Sequence, residues 1–159
     1  MSTIQMTNLS FAYPGHPDLF TKQNLTFDNS WKLGLTGRNG RGKTTLLNLI
    51  RGVLSGSGHI SMPLEPLYFP QPVKDPTQDA WVIAEKATTA ELWEVQRELS
   101  LMHTDDGILY RAFDSLSGGE QTKVLLAATF ASNTGFPLLD EPTNHLDIAG
   151  RDQIAAYLH

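Results

Sequence analysis

The residues Gly37-Arg38-Asn39-Gly40-Arg41-Gly42-Lys43-Thr44 fit the spacing G-x-x-x-x-G-K-[ST]. Glycines at these places let the backbone curl so that several N–H groups point at phosphate oxygens, where a side chain would block the approach. A helix starting at this point adds its partial positive charge. Lys43 reaches β- and γ-phosphates in such a loop, and a hydroxyl at Thr44 holds Mg²⁺. A second constellation lies far along the chain. Phe136-Pro137-Leu138-Leu139-Asp140-Glu141 is a short apolar run ending in two acids. Beyond a phosphate loop, the first acid suits a Mg²⁺ contact and the second suits orienting or deprotonating a water.

These groups need elements to place them. Trp31-Lys32-Leu33-Gly34-Leu35-Thr36 reads as a short strand entering the loop, and Thr45 to Arg51 as a helix that Gly52 ends. Ile4 to Phe11 alternates in part, as a half-buried strand does, and Ala12 to Pro17 must turn. Tyr13 lies in that turn, where its ring could stack on a base or pack on the sheet. Leu25-Thr26-Phe27 continues the strand-rich opening. Gly56-Ser57-Gly58 reads as a turn, followed by strands at His59 to Met62 and Leu67 to Phe69, with a break at Pro70-Gln71-Pro72.

Ala80 to His103 is helix-prone, with Leu92, Val95, Leu99 and Met102 at helical spacing. Trp93 beside that stripe is expected to pack with it. Thr104-Asp105-Asp106-Gly107 ends the segment. Ser117 and Glu120 in Leu116-Ser117-Gly118-Gly119-Glu120-Gln121 have capping-box spacing, so a helix should begin there and run through Phe130. Its free N–H groups suit a phosphate. A last helix is expected from Ala149 to Leu158.

The 159 residues are enough for one domain with a core, and the formal charge of −5 leaves no global basic footprint. That weakens direct nucleic-acid contact by this chain, although Arg38, Arg41 and Lys43 bunch where phosphates would sit. With no Cys there is no disulfide framework or thiolate metal site. No apolar run approaches the roughly 18 residues of a membrane span. Met1 to Leu9 lacks the shape of a signal peptide, so a cytoplasmic location is expected.

Together these motifs resemble the ATP-binding-cassette (ABC) ATPases. The phosphate loop, the signature Leu116 to Gln121, the Walker B acids Asp140-Glu141, a Q-loop at Gln71 and a D-loop at Asn144-His145-Leu146-Asp147 span essentially the whole chain. The wording of Asp140 to Asp147 and of Leu116 to Val124 is similar to the F-type branch, whose soluble two-cassette proteins act on ribosomes, some protecting them from antibiotics. The resemblance implies an α/β phosphate-loop fold with a parallel core sheet, an antiparallel β subdomain and a helical subdomain. Residues 1–72 would form the β subdomain and loop core, 73–114 the helical subdomain, and 115–159 the signature helix, Walker B strand and D-loop.

The resemblance further implies ATP and Mg²⁺ as cofactors. Nucleotide contacts would come from Tyr13, Gly37, Asn39, Gly40, Gly42, Lys43, Thr44 and Thr45, and metal contacts from Thr44, Gln71 and Asp140. Glu141 would be the general base, assisted by Gln71 and Lys43. Ser117 and Gly119 would bind the γ-phosphate held by a second, opposing cassette. Two departures follow. The family's switch histidine lies on a strand after the D-loop, whereas His159 ends a helix, so a fragment truncated at its C-terminus with poor turnover of its own is expected. Pro137 sits in the Walker B run, where a strand tolerates it only at its start or on an edge. The energy-supplying cassette of a membrane transporter and a nucleotide-binding module without turnover are the competing functions.

Overall fold

The computed structural model describes residues 3–132 and 134–159. They fall into two compact units, Met1–Pro66 and Leu67–His159.

The first unit is built on β1 (Thr3–Phe11), β2 (Phe20–Asp28), α1 (Lys43–Ile50) and β3 (Ser57–Ser61). The strands form an antiparallel sheet in the order β2-β1-β3. The alternation of β1 is only partial for a local reason. Ile4, Met6 and Leu9 are its buried residues, and the pairing with β2 shifts between Met6 and Leu9, where Asn8 takes a φ of 52°. This bulge moves the apolar phase by one residue, so Leu9 and not Asn8 faces inward. Met6, Leu9 and Leu49 of α1 form the small core, with Phe11, Phe20, Phe27, Leu46, Ile50, Leu54 and Ile60 around it. The expected turn at Gly56–Gly58 is shorter than its composition suggests, because β3 already begins at Ser57 and pairs with Ser10.

The expected strand from Trp31 to Thr36 does not form. The segment has no ladder, and Trp31, Leu33 and Leu35 are 56%, 57% and 48% exposed. An extended segment becomes a strand only when a neighbour takes its N–H and C=O groups. The parallel core sheet expected around it is correspondingly reduced. Among the described residues the second sheet has two strands, β4 (Glu65–Phe69) and β5 (Gly135–Leu139). Pro137 is the third residue of β5, and a two-stranded sheet consists of edges, which is where proline is accepted.

The second unit is mostly helical: α2 (Ala80–Ala87), α3 (Leu92–Leu101), α4 (Gly118–Ala131) and α5 (Ile148–Leu158), with short 3₁₀ turns at Asp106–Tyr110 and Phe113–Ser115. The helix-prone run from Ala80 to His103 is thus two helices. Thr88 is extended at the end of α2 and its Oγ1 accepts from Ala90 N at 3.1 Å, a local bond that competes with helix continuation. Val95, Leu99 and Met102 are buried as their spacing predicts, in one core with Ile83, Leu109, Phe113, Leu126 and Ile154. Trp93 does not join them. It is 59% exposed, with the Arg97 guanidinium 5.6 Å from its ring centroid, because position 93 points away from the 95/99/102 stripe.

Three contacts fasten α5 within this unit. Ile154 is fully buried, Lys123 Nζ of α4 donates to Gln153 Oε1 at 2.7 Å, and Tyr157 donates to Glu98 of α3 at 2.5 Å. Arg97 balances that buried carboxylate at 2.8 Å. Burial, and then the bond to Glu98, push the Tyr157 phenol above its usual range, so it stays a donor.

The box at the start of α4 forms as its spacing predicts. Ser117 N donates to Glu120 Oε2 at 2.7 Å, and Ser117 Oγ accepts from Glu120 N at 3.3 Å. The Ser117 backbone bond, and then the bond from its side chain, hold the Glu120 carboxyl below its usual range. A carboxyl depressed by folding adds stability above its unfolded value, about 4.3, and loses it as pH falls through the folded one. Glu120→Gln is therefore expected to flatten the loss of stability on acidification in that window, read by urea unfolding at a series of pH values. An identical pH dependence in the variant would show that the box carries no proton linkage.

Candidate functional site

Within the first unit the loop Gly37–Thr44 winds back on itself ahead of α1. Arg41 N donates to Arg38 O at 3.3 Å, and Lys43 Nζ donates to Gly37 O at 2.9 Å, with Asn39 Oδ1 at 3.4 Å and Arg38 O at 3.5 Å. The ammonium thus lies inside the curl of its own loop. Gly42 caps α1 with a φ of 91°, and a Cβ there would come within 2.9 Å of Leu19 Cδ2 and 3.1 Å of Phe20 Cζ. The conformation demands glycine at this position, and a side chain there would also have to displace Leu19. Gly37, Asn39, Gly40 and Thr44 are exposed, so this side of the loop is accessible to a ligand.

Tyr13 stands beside this helix start. Its hydroxyl is 3.0 Å from Thr45 Oγ1, its ring meets Phe11 edge-on at 4.9 Å, and it is 43% exposed. Tyr13 and Thr45, thirty-two positions apart, are therefore brought together. Thr45 itself is buried, so its hydroxyl serves that bond.

Within the second unit Asp140 follows β5 directly. Its N–H donates to Phe69 O at 2.9 Å, and its Oδ2 accepts from the Tyr68 hydroxyl at 3.0 Å. Glu141 takes a φ of 48°, uncommon for a residue with a side chain. Its carboxylate accepts from Asn144 Nδ2, and its carbonyl oxygen accepts from Asn144 N at 3.2 Å. Gln71 donates from Nε2 to Ala87 O at the end of α2 at 3.0 Å, while its Oε1 is a buried acceptor with no hydrogen-bond partner. The start of α4 packs on the D-loop: a Cβ at Gly118 would sit 3.3 Å from His145 Cβ, and one at Gly119 would sit 3.4 Å from Leu146 Cδ2. Ser117 is exposed at the helix start.

In the first unit Thr44 offers a hydroxyl, and in the second Gln71 and Asp140 offer an amide oxygen and a carboxylate. All are hard oxygen donors of the kind Mg²⁺ takes, and the unpartnered Gln71 Oε1 fits such a role. Among the described residues there is no group of three or more His, Cys, Asp or Glu that could hold a metal ion. Reading the sequence overlooked two partners, Tyr68 on Asp140 and Asn144 on Glu141. Asn144 had a signal, three positions from the acid across a tight turn. Tyr68 had none, since it meets Asp140 only through strand placement.

The pattern described as ABC transporter matches residues 20–144, and the chain belongs to this family of ATP-binding cassettes. Such cassettes are ATPases in general and bind ATP. The chain is 30% identical over 93% of its length to ABC transporter F family member 4 of Dictyostelium discoideum. It is 31% identical over 95% to the ribosome protection protein VmlR of Bacillus subtilis, and 29% identical over 98% to the molybdate import ATP-binding protein MolC of Haemophilus influenzae. It spans 14%, 28% and 66% of those three proteins. In structure it resembles the dimeric bacterial cassette MJ0796, with a TM-score of 0.82 at 21% identity, over 98% of this chain and 81% of that one. That likeness, and the same protein's post-hydrolysis state bound to ADP and Pi at a TM-score of 0.82 and 19% identity (98% of this chain, 81% of that one), speaks for the fold. Among the described residues no helix is long and apolar enough to cross a membrane.

Proposed function

We propose that this chain is a Mg²⁺-dependent ATP-binding cassette of the F type, hydrolysing ATP in company with a second cassette and acting on the ribosome as part of a longer cytoplasmic protein. The observation that carries the nucleotide reading is Lys43 held inside a glycine-shaped loop at the start of a helix. Gly37, Asn39, Gly40, Gly42, Lys43 and Thr44 hold the phosphates, Thr45 adds its backbone N–H in the first turn of α1 while its hydroxyl stays on Tyr13, and Tyr13 lies against the adenine. In the first unit Thr44 would offer Mg²⁺ its hydroxyl, and in the second Gln71 and Asp140 would offer it their side-chain oxygens; the ion would neutralise phosphate charge. Glu141 takes the proton from water. Ser117 and Gly119 present the start of α4 to the γ-phosphate of the opposing cassette. The F-type reading is supported by the wording of Asp140 to Asp147 and by the likeness to F family member 4, and the ribosomal part by the likeness to the ribosome protection protein VmlR.

Lys43→Ala is expected to weaken ATP·Mg²⁺ binding roughly 10- to 150-fold, the worth of charge-assisted hydrogen bonds of about 1.5–3 kcal/mol. Calorimetric titration of the chain, with thermal unfolding in the same samples, reads this. Equal affinity in the variant would remove Lys43 from the site. The second reading, a transporter's energy-supplying cassette, is supported by MolC, of which the chain spans 66%. Co-sedimentation with ribosomes supports the first reading, and recovery with membranes supports the second.

A further inference from the structure

We propose that Tyr68 is a positioning residue for the carboxylate of Asp140, fixing which of its oxygens is presented to a divalent cation. The inference rests on Asp140 being a metal contact, as set out under Proposed function. Tyr68 lies on β4 and Asp140 just after β5, and the two strands pair. The backbone of Asp140 is set by its bond to Phe69 O at 2.9 Å, leaving rotation of the side chain as the remaining freedom. The Tyr68 hydroxyl removes that freedom by donating to Oδ2 at 3.0 Å in a half-buried setting. An ionised carboxylate only accepts, so a phenol on one oxygen leaves the other as the freer donor to a cation or its bound water. Partners of this outer kind orient metal-ligating carboxylates, and their removal typically costs about 10- to 100-fold in metal affinity.

The test is a Mn²⁺ titration of the chain with saturating ATP, followed by electron paramagnetic resonance, beside a titration of metal-free ATP. It compares the unmodified chain with Tyr68→Phe, Asp140→Asn and the double variant. Phenylalanine keeps the ring and removes only the hydroxyl. Tyr68→Phe is expected to weaken Mn²⁺ about 10-fold or more and leave metal-free ATP binding unchanged, with the double variant no weaker than Asp140→Asn alone. Unchanged Mn²⁺ affinity in Tyr68→Phe, with loss in Asp140→Asn, overturns this inference and spares the metal reading. The same holds if the two losses simply add, or if metal-free ATP binding falls equally. No effect of Asp140→Asn, or no ATP binding by the unmodified chain, overturns the metal reading and takes this inference with it.

Discussion

Glu141→Gln is expected to lower ATP turnover by about 10²- to 10⁴-fold, the usual contribution of a positioned general base, while ATP·Mg²⁺ still binds. Glutamine keeps the length of the side chain and an oxygen that accepts from Asn144 Nδ2, so the local turn survives the change. What it loses is basicity toward the attacking water. The variant therefore separates proton transfer from placement. The measurement is kcat and KM for ATP where a second cassette completes the site, with nucleotide affinity determined alongside. A fall in kcat at constant affinity assigns the base to Glu141. Unchanged turnover would move that role elsewhere. A parallel fall in affinity would show that Glu141 binds the nucleotide and does not act on water.

Leu99→Ala is expected to destabilise the second unit by roughly 2–5 kcal/mol, the range for removing a leucine from a packed core. Leu99 is 0% exposed in the cluster that joins α2, α3, α4 and α5, so alanine leaves a void lined by side chains that cannot all close on it. Leu101, two positions on and 57% exposed, provides the control, and Leu101→Ala is expected to stay within about 0.5 kcal/mol. Urea unfolding of both variants checks the contrast. Similar midpoints would mean that α3 is not anchored through its 95/99/102 face. A large loss in Leu99→Ala would also threaten Glu98, whose carboxylate depends on the same helix to meet Tyr157.

The short-range grammar of the site was legible in the chain. The loop Gly37–Thr44, the cap of Ser117 on Glu120 and the ending of α1 near Gly52 each depend on residues a few positions apart, whose backbone preferences act wherever the chain lies. The helical periodicity of Val95, Leu99 and Met102 was equally visible, because one helix face is set by spacing alone. That same rule told against Trp93, which stands next to the stripe in sequence and outside it in angle.

What the tertiary structure decided depends on partners remote in sequence. Trp31 to Thr36 has the composition of a strand, but no local preference supplies the neighbour that would take its hydrogen bonds, and it remains exposed coil. The bond from Tyr68 to Asp140 closes a separation of 72 positions through the placement of β4 beside β5. Glu98 and Tyr157, 59 positions apart, meet only because α3 and α5 share one core. The sequence by itself thus determined the family, the phosphate loop and the helix start at Ser117, since those are written in adjacent residues. The tertiary structure decided which strands pair and which side chain steadies each acid, since those follow from packing between distant segments.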